Sequence, residues 1–371
     1  MKPWLGDGEV AAAEETIRSG WVAQGPRVAE FEKALAGQVG AAHGVAVSSC
    51  TTGLHLALHA LGIGPGDEVV VPSLSFIATA NAPRYVGATP VFADVDPVTQ
   101  NLTADTIEAV ITPATRAVIV VHQVGMPAEL DEIAALCHER NLTVIEDAAC
   151  AIGSTYGGIA IGSHSDVVVF SFHPRKILTT GEGGMITTSS EDLADRMRRL
   201  RQHGMSVSAF DRHENTRVAI EQYVEMGYNF RMTDLQAAVG IVQLEKLPSM
   251  IERRRELAEE YRKGMAGIDG LQLPADPSYG TTNFQSYAVV LREGFPTSRN
   301  RLMEMMLERA ISTRRGVMAA HREPAFAGHP HADLPVTEIL TDTSIILPMY
   351  HEMSSSDLDR VVRCMADAAG A

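Results

Sequence analysis

The chain has 371 residues, with 31 Lys and Arg against 46 Asp and Glu, a formal balance of −15 at pH 7. That balance excludes the basic stripes that nucleic-acid and anionic-membrane binders need. Hydrophobic residues make up 45% and charged residues 21%, so disorder is excluded, a sizeable core is available, and the length predicts two domains.

Helical periodicity covers residues 8–19, a Gly/Pro loop follows at 20–26, and residues 28–39 are again helical. Short β-branched runs then recur at 45–47, 68–71, 90–93, 117–121, 143–145, 166–170 and 185–188, with helical patterns between them, as at 53–58 and 130–140. This alternation predicts an α/β fold: a mostly parallel seven-stranded sheet with helices on both faces. Residues 191–201 read as a helix, 203–215 as a polar loop, and 236–247 as an apolar helix. A charge-laced, exposed helix over 251–262 is expected to lead into a smaller C-terminal α+β domain, with a strand at 286–291 and helices at 298–309 and 356–369. The boundary is therefore drawn after residue 247: residues 1–247 form the large domain with the N-terminal segment, and 248–371 the linking helix and small domain.

No run approaches the ~18 apolar residues of a spanning helix, and the start Met-Lys-Pro-Trp leads into no apolar stretch. Four cysteines without a CxxC pair (Cys50, Cys137, Cys150, Cys364) predict reduced thiols and a cytoplasmic protein, with no membrane and no nucleic acid as partner. His329-Pro330-His331 has no ligand-rich motif near it in sequence and reads as a solvated loop, so no metal is expected.

Parallel α/β sheets bind ligands beyond the carboxyl ends of their strands. The chain places Ser48-Ser49-Cys50-Thr51-Thr52-Gly53 after its first predicted strand, leading into a helix. Hydroxyls and free N–H groups there suit a phosphate, or equally a plain Ser/Thr cap. Phe76 follows the second strand, and His122, which reads as structural, follows the fourth. Glu146 and Asp147 follow the fifth; a carboxylate behind a buried strand needs a partner, and Asp147 is expected to meet a cation. After the sixth comes Ser171-Phe172-His173-Pro174-Arg175-Lys176, then a turn rich in glycine, Thr180 to Gly184.

Of the 31 basic residues only five are lysines: Lys2, Lys33, Lys176, Lys246 and Lys263. Four have ordinary solvated explanations, by position at a terminus or beside glutamates. Lys176 stands at a strand end, where a chain that otherwise uses Arg has chosen the cation that can lose its proton and form a Schiff base. An amine, a carboxylate, an aromatic and a helix N-terminus are what pyridoxal 5'-phosphate requires. Lys176, Asp147, Phe76 and residues 49–52 supply one of each.

The motifs Gly-Trp-Val-Ala-Gln-Gly-Pro (20–26), Leu-Gly-Ile-Gly-Pro-Gly-Asp-Glu-Val (61–69), Ile-Glu-Asp-Ala-Ala (145–149), Ser-Phe-His-Pro-Arg-Lys (171–176), Thr-Gly-Glu-Gly-Gly (180–184) and Gly-Tyr-Asn-Phe-Arg-Met-Thr-Asp-Leu-Gln-Ala-Ala (227–238) resemble the DegT/DnrJ/StrS family. The likeness runs from about residue 8 to 265 and weakens beyond. It implies a fold-type I pyridoxal-phosphate-dependent aminotransferase that acts on a nucleotide-linked keto-sugar, with L-glutamate as the expected donor. It further implies that Lys176 carries the cofactor, Asp147 pairs with its ring nitrogen, Phe76 stacks on the ring, and Ser49, Cys50, Thr51, Thr52 and Ser171 surround the phosphate. A homodimer is implied, with Asn229 of one subunit reaching the other's cofactor. Some members of the family are dehydratases with His in place of the lysine; Lys176 favours amino transfer over that alternative, and the Lys176/Asp147 pair favours it over a non-catalytic cofactor-binding regulator, while a free cyclitol stays open as the acceptor.

Two residues near the cofactor depart from the family pattern: Cys150 stands where Gln is usual, and Cys50 where Gly is commoner. The stretch 313–324, which contributes to the substrate pocket in the family and here contains His321, lacks the usual aromatics. For an anionic substrate, Arg231, Arg314 and Arg315 are candidate partners. His173 is expected to line the site, and Glu182 to position substrate or brace the glycine turn. Burial and a cationic cofactor are expected to lower the Lys176 pKa.

Overall fold

A computed structural model describes residues 3–206 and 220–370. The predicted loop over 203–215 lies outside the described residues from position 207 on.

In chain order the elements are α1 (Asp7–Ser19), α2 (Pro26–Val39), β1 (His43–Val47), α3 (Cys50–Ala60), β2 (Glu68–Pro72), α4 (Ile77–Tyr85), β3 (Thr89–Ala93), α5 (Ala104–Glu108), β4 (Thr115–Val121), α6 (Leu130–Arg140), β5 (Thr143–Asp147), β6 (Thr155–Tyr156), β7 (Ile159–Ala160), β8 (Val167–Ser171), β9 (Gly184–Thr188) and α7 (Glu191–Leu200). There follow α8 (Asp234–Met265), β10 (Leu271–Gln272), β11 (Gly280–Thr281), β12 (Tyr287–Leu291), α9 (Arg299–Glu308), β13 (Arg314–Arg315), α10 (Pro335–Thr343), β14 (Ser344–Leu347) and α11 (Ser355–Ala369). All seven strands expected of the main sheet are present, in the order β1-β9-β8-β5-β4-β2-β3. β8, β5, β4, β2 and β3 run parallel, and β9 is antiparallel to both β8 and β1.

The strands read as unbroken apolar runs because both faces are covered. Val118, Val120, Val144, Val168 and Phe170 belong to one core, whereas Ala117, Ile119, Ile145, Val167 and Val169 belong to the other. Successive side chains alternate between the two, as the period of a strand demands. A third core, around Leu257, Tyr261, Tyr287 and Val289, fills the C-terminal part beneath a sheet of order β10-β12-β14-β13.

The two helices expected at 236–247 and 251–262 are one: α8 runs unbroken for 32 residues with Pro248 inside it. Proline removes a main-chain donor, but the apolar positions on either side bridge two cores. Leu244, Leu247 and Met250 pack into a core on the main sheet, and Leu257, Tyr261 and Met265 into the third. The second half is charge-laced but not merely exposed. Arg253–Glu256 and Arg262–Glu259 pair on its surface at 2.8 and 2.6 Å. Arg254 is buried, donates to the carbonyls of Phe284 and Gln285 at 3.0 and 3.1 Å, and has its pKa pulled down to about 10 by burial.

Lys246 also departs from its solvated reading. Its Nζ donates to both oxygens of buried Glu9, at 2.6 and 2.8 Å, and lies 5.0 Å over the Trp4 ring. Gln243 and the Gly6 N–H complete the Glu9 carboxylate. The N-terminal helix is thereby fastened to α8. Burial opposes the Glu9 charge, but Lys246 and these hydrogen bonds outweigh it and set its pKa below the usual range. Such a group stabilises the fold above the ordinary glutamate pKa, and that contribution is lost as pH falls through the lowered value. Lys246→Met is expected to cost about 2–3 kcal/mol, read as a lower urea midpoint at unchanged slope. The deficit should shrink on acidification below the glutamate range.

Candidate active site

The parallel strands deliver their carboxyl ends to one edge of the sheet, and a cavity of about 660 Å³ opens there. Helix α3 points its N-terminus into it. Ser49 caps that helix, its hydroxyl accepting from the Thr52 N–H at 3.2 Å, while the Thr52 hydroxyl accepts from the Ser49 N–H at 3.0 Å. One feature therefore serves as cap and as candidate anion site, because among the described residues the first-turn N–H groups of Cys50 and Thr51 have no partner. Thr52 itself is turned into the cap and does not line the cavity. Gly184 makes the arrangement possible: a Cβ there would stand 2.7 Å from both Cys50 N and Ser49 C. Thr51 and Ser171 also line the cavity, and among the described residues neither hydroxyl has a hydrogen-bond partner within the chain.

Asp147 ends β5 and is 5% exposed. Thr79 donates its hydroxyl to Oδ2 at 2.8 Å, and the Ala149 N–H donates to Oδ1 at 3.2 Å. The expected direct cation is thus replaced by a hydroxyl and a backbone donor, which satisfy the carboxylate and aim it at the cavity. It is Glu146 that meets a basic ring. His122 Nδ1 accepts from the Ala128 N–H at 3.1 Å, which leaves the ring proton on Nε2, 2.8 Å from Glu146 Oε2.

Lys176 follows β8 in a turn that Gln285 clamps on both sides, accepting from the Ile177 N–H at 3.0 Å and donating to the Arg175 carbonyl at 2.7 Å. Its Nζ donates to Cys150 Sγ at 3.1 Å. Burial pulls the Lys176 pKa down, but Cys150, then Cys50 and Asp147, more than offset it, so the net direction is up. Burial acts in the expected direction; the expected lowering also counted on the cationic cofactor, and within the chain itself Cys150, Cys50 and Asp147 set the balance. Cys50 lies 3.8 Å from Asp147 Oδ1. Burial, with the carboxylate's charge added, pushes its thiol well above the usual range.

His173 and Glu182 line the same wall, with His173 Nε2 3.9 Å from Glu182 Oε1. Burial, joined by Arg175 and Lys176, lowers the His173 pKa against the pull of Glu182. The Glu182 carbonyl accepts from Thr180 and Gln236, both at 2.7 Å, so its backbone braces the turn while its side chain faces the cavity. Phe76, 58% exposed, stands at the mouth.

The opposite wall carries Arg314 and Arg315 on β13. Arg315 pairs with Glu323 at 3.0 Å. Partial burial and the like charge of Arg175 lower the Arg314 pKa. His321 does not line the cavity. It is buried behind that wall, its Nδ1 2.6 Å from Ser73 Oγ and its Nε2 3.3 Å from Glu338 Oε1. With the Ala320 N–H to Ser73 carbonyl and Ser75 N–H to Met318 carbonyl bonds, at 2.7 and 3.1 Å, it ties the arginine-bearing segment to the loop that carries Phe76. Arg231 and exposed Asn229 also lie outside the cavity of their own chain.

Sequence reasoning missed Thr79 and Gln285. Both had a faint signal: Thr79 lies in the first turn of the helix behind Phe76, and Gln285 is polar just ahead of the apolar strand β12. The assembled groups fit pyridoxal phosphate: a lysine nitrogen, a fixed carboxylate, uncommitted hydroxyls and a helix N-terminus at one end of one cavity.

Residues 4–366 match the sequence profile of the DegT/DnrJ/EryC1/StrS aminotransferase family. The aminotransferase TlmJ from Streptoalloteichus hindustanus is 38% identical, with a TM-score of 0.91 over 100% of this chain and 98% of that one. The putative sugar aminotransferase Spr1654 from Streptococcus pneumoniae, in its PLP form, is 26% identical, with a TM-score of 0.92 over 100% and 97%. DesI, solved in the presence of its TDP-sugar product, is 33% identical, with a TM-score of 0.89 over 99% and 91%. The fold is fold-type I of the pyridoxal-phosphate-dependent transferases. The chain belongs to the DegT/DnrJ/EryC1/StrS aminotransferase family and is a transaminase.

Thr79→Val keeps the shape of the side chain but removes the donor to Asp147. It is expected to weaken uptake of pyridoxal phosphate about tenfold, the worth of one hydrogen bond to a charged group. Titration of the cofactor's absorption measures this, and an unchanged dissociation constant would contradict the role given to Thr79.

Proposed function

We propose that this enzyme transfers an amino group from L-glutamate to a nucleotide-linked keto-sugar, a 4-keto or 3-keto-6-deoxy sugar. The observation that carries the reading is the cavity's charge: Arg175, Lys176, Arg314 and Arg315 line it against Asp147 and Glu182, in a chain of net charge −15. Such a pocket suits an anionic cofactor and anionic substrates. The likeness to DesI, solved with its TDP-sugar product, supports the nucleotide-sugar class.

The cofactor is pyridoxal phosphate, which supplies an aldehyde to take up the amino group and a protonated ring to draw off the electron pair left on the substrate carbon. Lys176 holds it and moves the proton through Nζ. Asp147, fixed by Thr79 and Ala149, keeps the ring nitrogen protonated. Thr51, Ser171 and the first turn of α3 hold the phosphate, with Ser49 shaping that turn, and Phe76 covers the ring. His173 and Glu182 orient the acceptor from one wall; Arg314 and Arg315 receive its pyrophosphate, or the carboxylate of the donor, from the other. Gln285 fixes the Lys176 turn, so the nitrogen needs little reorientation between roles.

A homodimer belongs to this reading, with Asn229 serving the partner's cavity. Its support is that Asn229 stands outside its own cavity on a surface segment whose Tyr223, Val224 and Met226 are exposed apolar side chains. The cytoplasm is the proposed compartment, where four unpaired cysteines stay reduced.

Incubation with glutamate, pyridoxal phosphate and a panel of nucleotide-linked keto-sugars should release 2-oxoglutarate stoichiometrically with amino-sugar. Lys176→Ala is expected to lower the rate by about 10²–10⁴-fold or more. Sugar dehydration without 2-oxoglutarate would overturn amino transfer. Arg314→Ala is expected to raise KM about tenfold at little cost in kcat, the sign of lost binding rather than lost chemistry.

A further inference from the structure

The cavity brings together two reactive groups that the transfer reaction does not use as a pair. Lys176 Nζ is 3.1 Å from Cys150 Sγ, within the range at which bonded partners react. The Cys150 backbone is held by Asn283, whose Nδ2 donates to its carbonyl at 2.8 Å, so the contact is built rather than incidental. Cys150 shares the cavity with Lys176, Arg175 and Arg314. A cationic, solvent-reachable surrounding is what marks an oxidisable cysteine. Cys50 is the internal contrast: it faces Asp147, and its thiol is held protonated.

We propose that Cys150 and Lys176 form a peroxide-sensitive lock in the cofactor-free enzyme, closing as a sulfur–nitrogen bond on the atom that must carry the cofactor. In the first step the Cys150 sulfur attacks one oxygen of hydrogen peroxide. The O–O bond breaks, sulfur is oxidised to the sulfenic acid, and the other oxygen leaves as water after taking up a proton. In the second step Lys176 nitrogen attacks that sulfur. The S–O bond breaks, and the departing hydroxyl leaves as water with a proton from the amine.

The site's electrostatics order the two steps. While Cys150 is reduced, its sulfur accepts a hydrogen bond from Lys176 Nζ and favours the ammonium, which is no nucleophile; oxidation of the sulfur removes that support. Burial then pulls toward the neutral amine, against the remaining Cys50 and Asp147. Bound cofactor occupies the nitrogen and blocks the second step. The lock therefore ties oxidative exposure to the unloaded state alone, and thiol reductants release it.

The test uses cofactor-stripped protein exposed to stoichiometric hydrogen peroxide, followed by intact-mass and peptide mapping. The expected result is loss of two hydrogens, located to a peptide pair joined between Cys150 and Lys176. Uptake of pyridoxal phosphate, followed by absorption, should fall in proportion to the crosslinked fraction and return after dithiothreitol. Preloading with cofactor should prevent the crosslink, Cys150→Ser should abolish it, and Cys50→Ser should leave it in place. A crosslink lost in Cys50→Ser would reveal a disulfide between the two cysteines and overturn the proposal. So would oxidation confined to other residues, or a Cys150 sulfenic acid that never condenses while cofactor uptake persists.

Discussion

A carboxylate at the end of a fully buried strand must be satisfied before the chain can fold around it, and the site is arranged about that requirement at Asp147. Thr79 from α4 and the Ala149 N–H meet its two oxygens. Together they hold the carboxylate toward the cavity, where the proposed function sets it against a ring nitrogen. Its neighbour Glu146 faces the other side of the sheet and is met by His122. The alternation of a strand thus splits two adjacent acids into one structural and one functional group.

Around that charge the cavity is positive, although the protein as a whole is acidic. Arginine supplies most of the cation lining and lysine appears once, at Lys176, the position where the proposed reaction needs a cation that can lose its proton and bond covalently. The two thiols divide in the same way. Cys50, beside the carboxylate, is kept inert; Cys150, beside the cations, is open to oxidation.

The far wall depends on a seam between distant parts of the sequence. Ser73 and Ser75, at the end of β2, bond to Met318, Ala320 and His321. This seam sets Arg314 and Arg315 across the cavity from Lys176. His321, which the sequence suggested as a substrate contact, is buried in this seam, bonded to Ser73 and Glu338 behind the cavity wall.

The seven strands, their mostly parallel course and the meeting of Lys176, Asp147, Phe76 and the α3 N-terminus at one cavity were legible in the sequence, because each depends on local pattern: unbroken β-branched runs, a hydroxyl cap, a glycine turn, a single lysine among arginines. What the tertiary structure alone decided are the long-range partners. Thr79 on Asp147, Gln285 on the Lys176 turn, Cys150 on Lys176, Glu9 on Lys246 and the unbroken course of α8 through Pro248 all join residues whose proximity no local spacing encodes. A side chain's chemistry is written at its own position, but its pKa, its exposure and its partner are set by whatever the fold packs against it. That is why a lysine that burial alone would acidify has its pKa raised on balance by neighbours from distant parts of the chain.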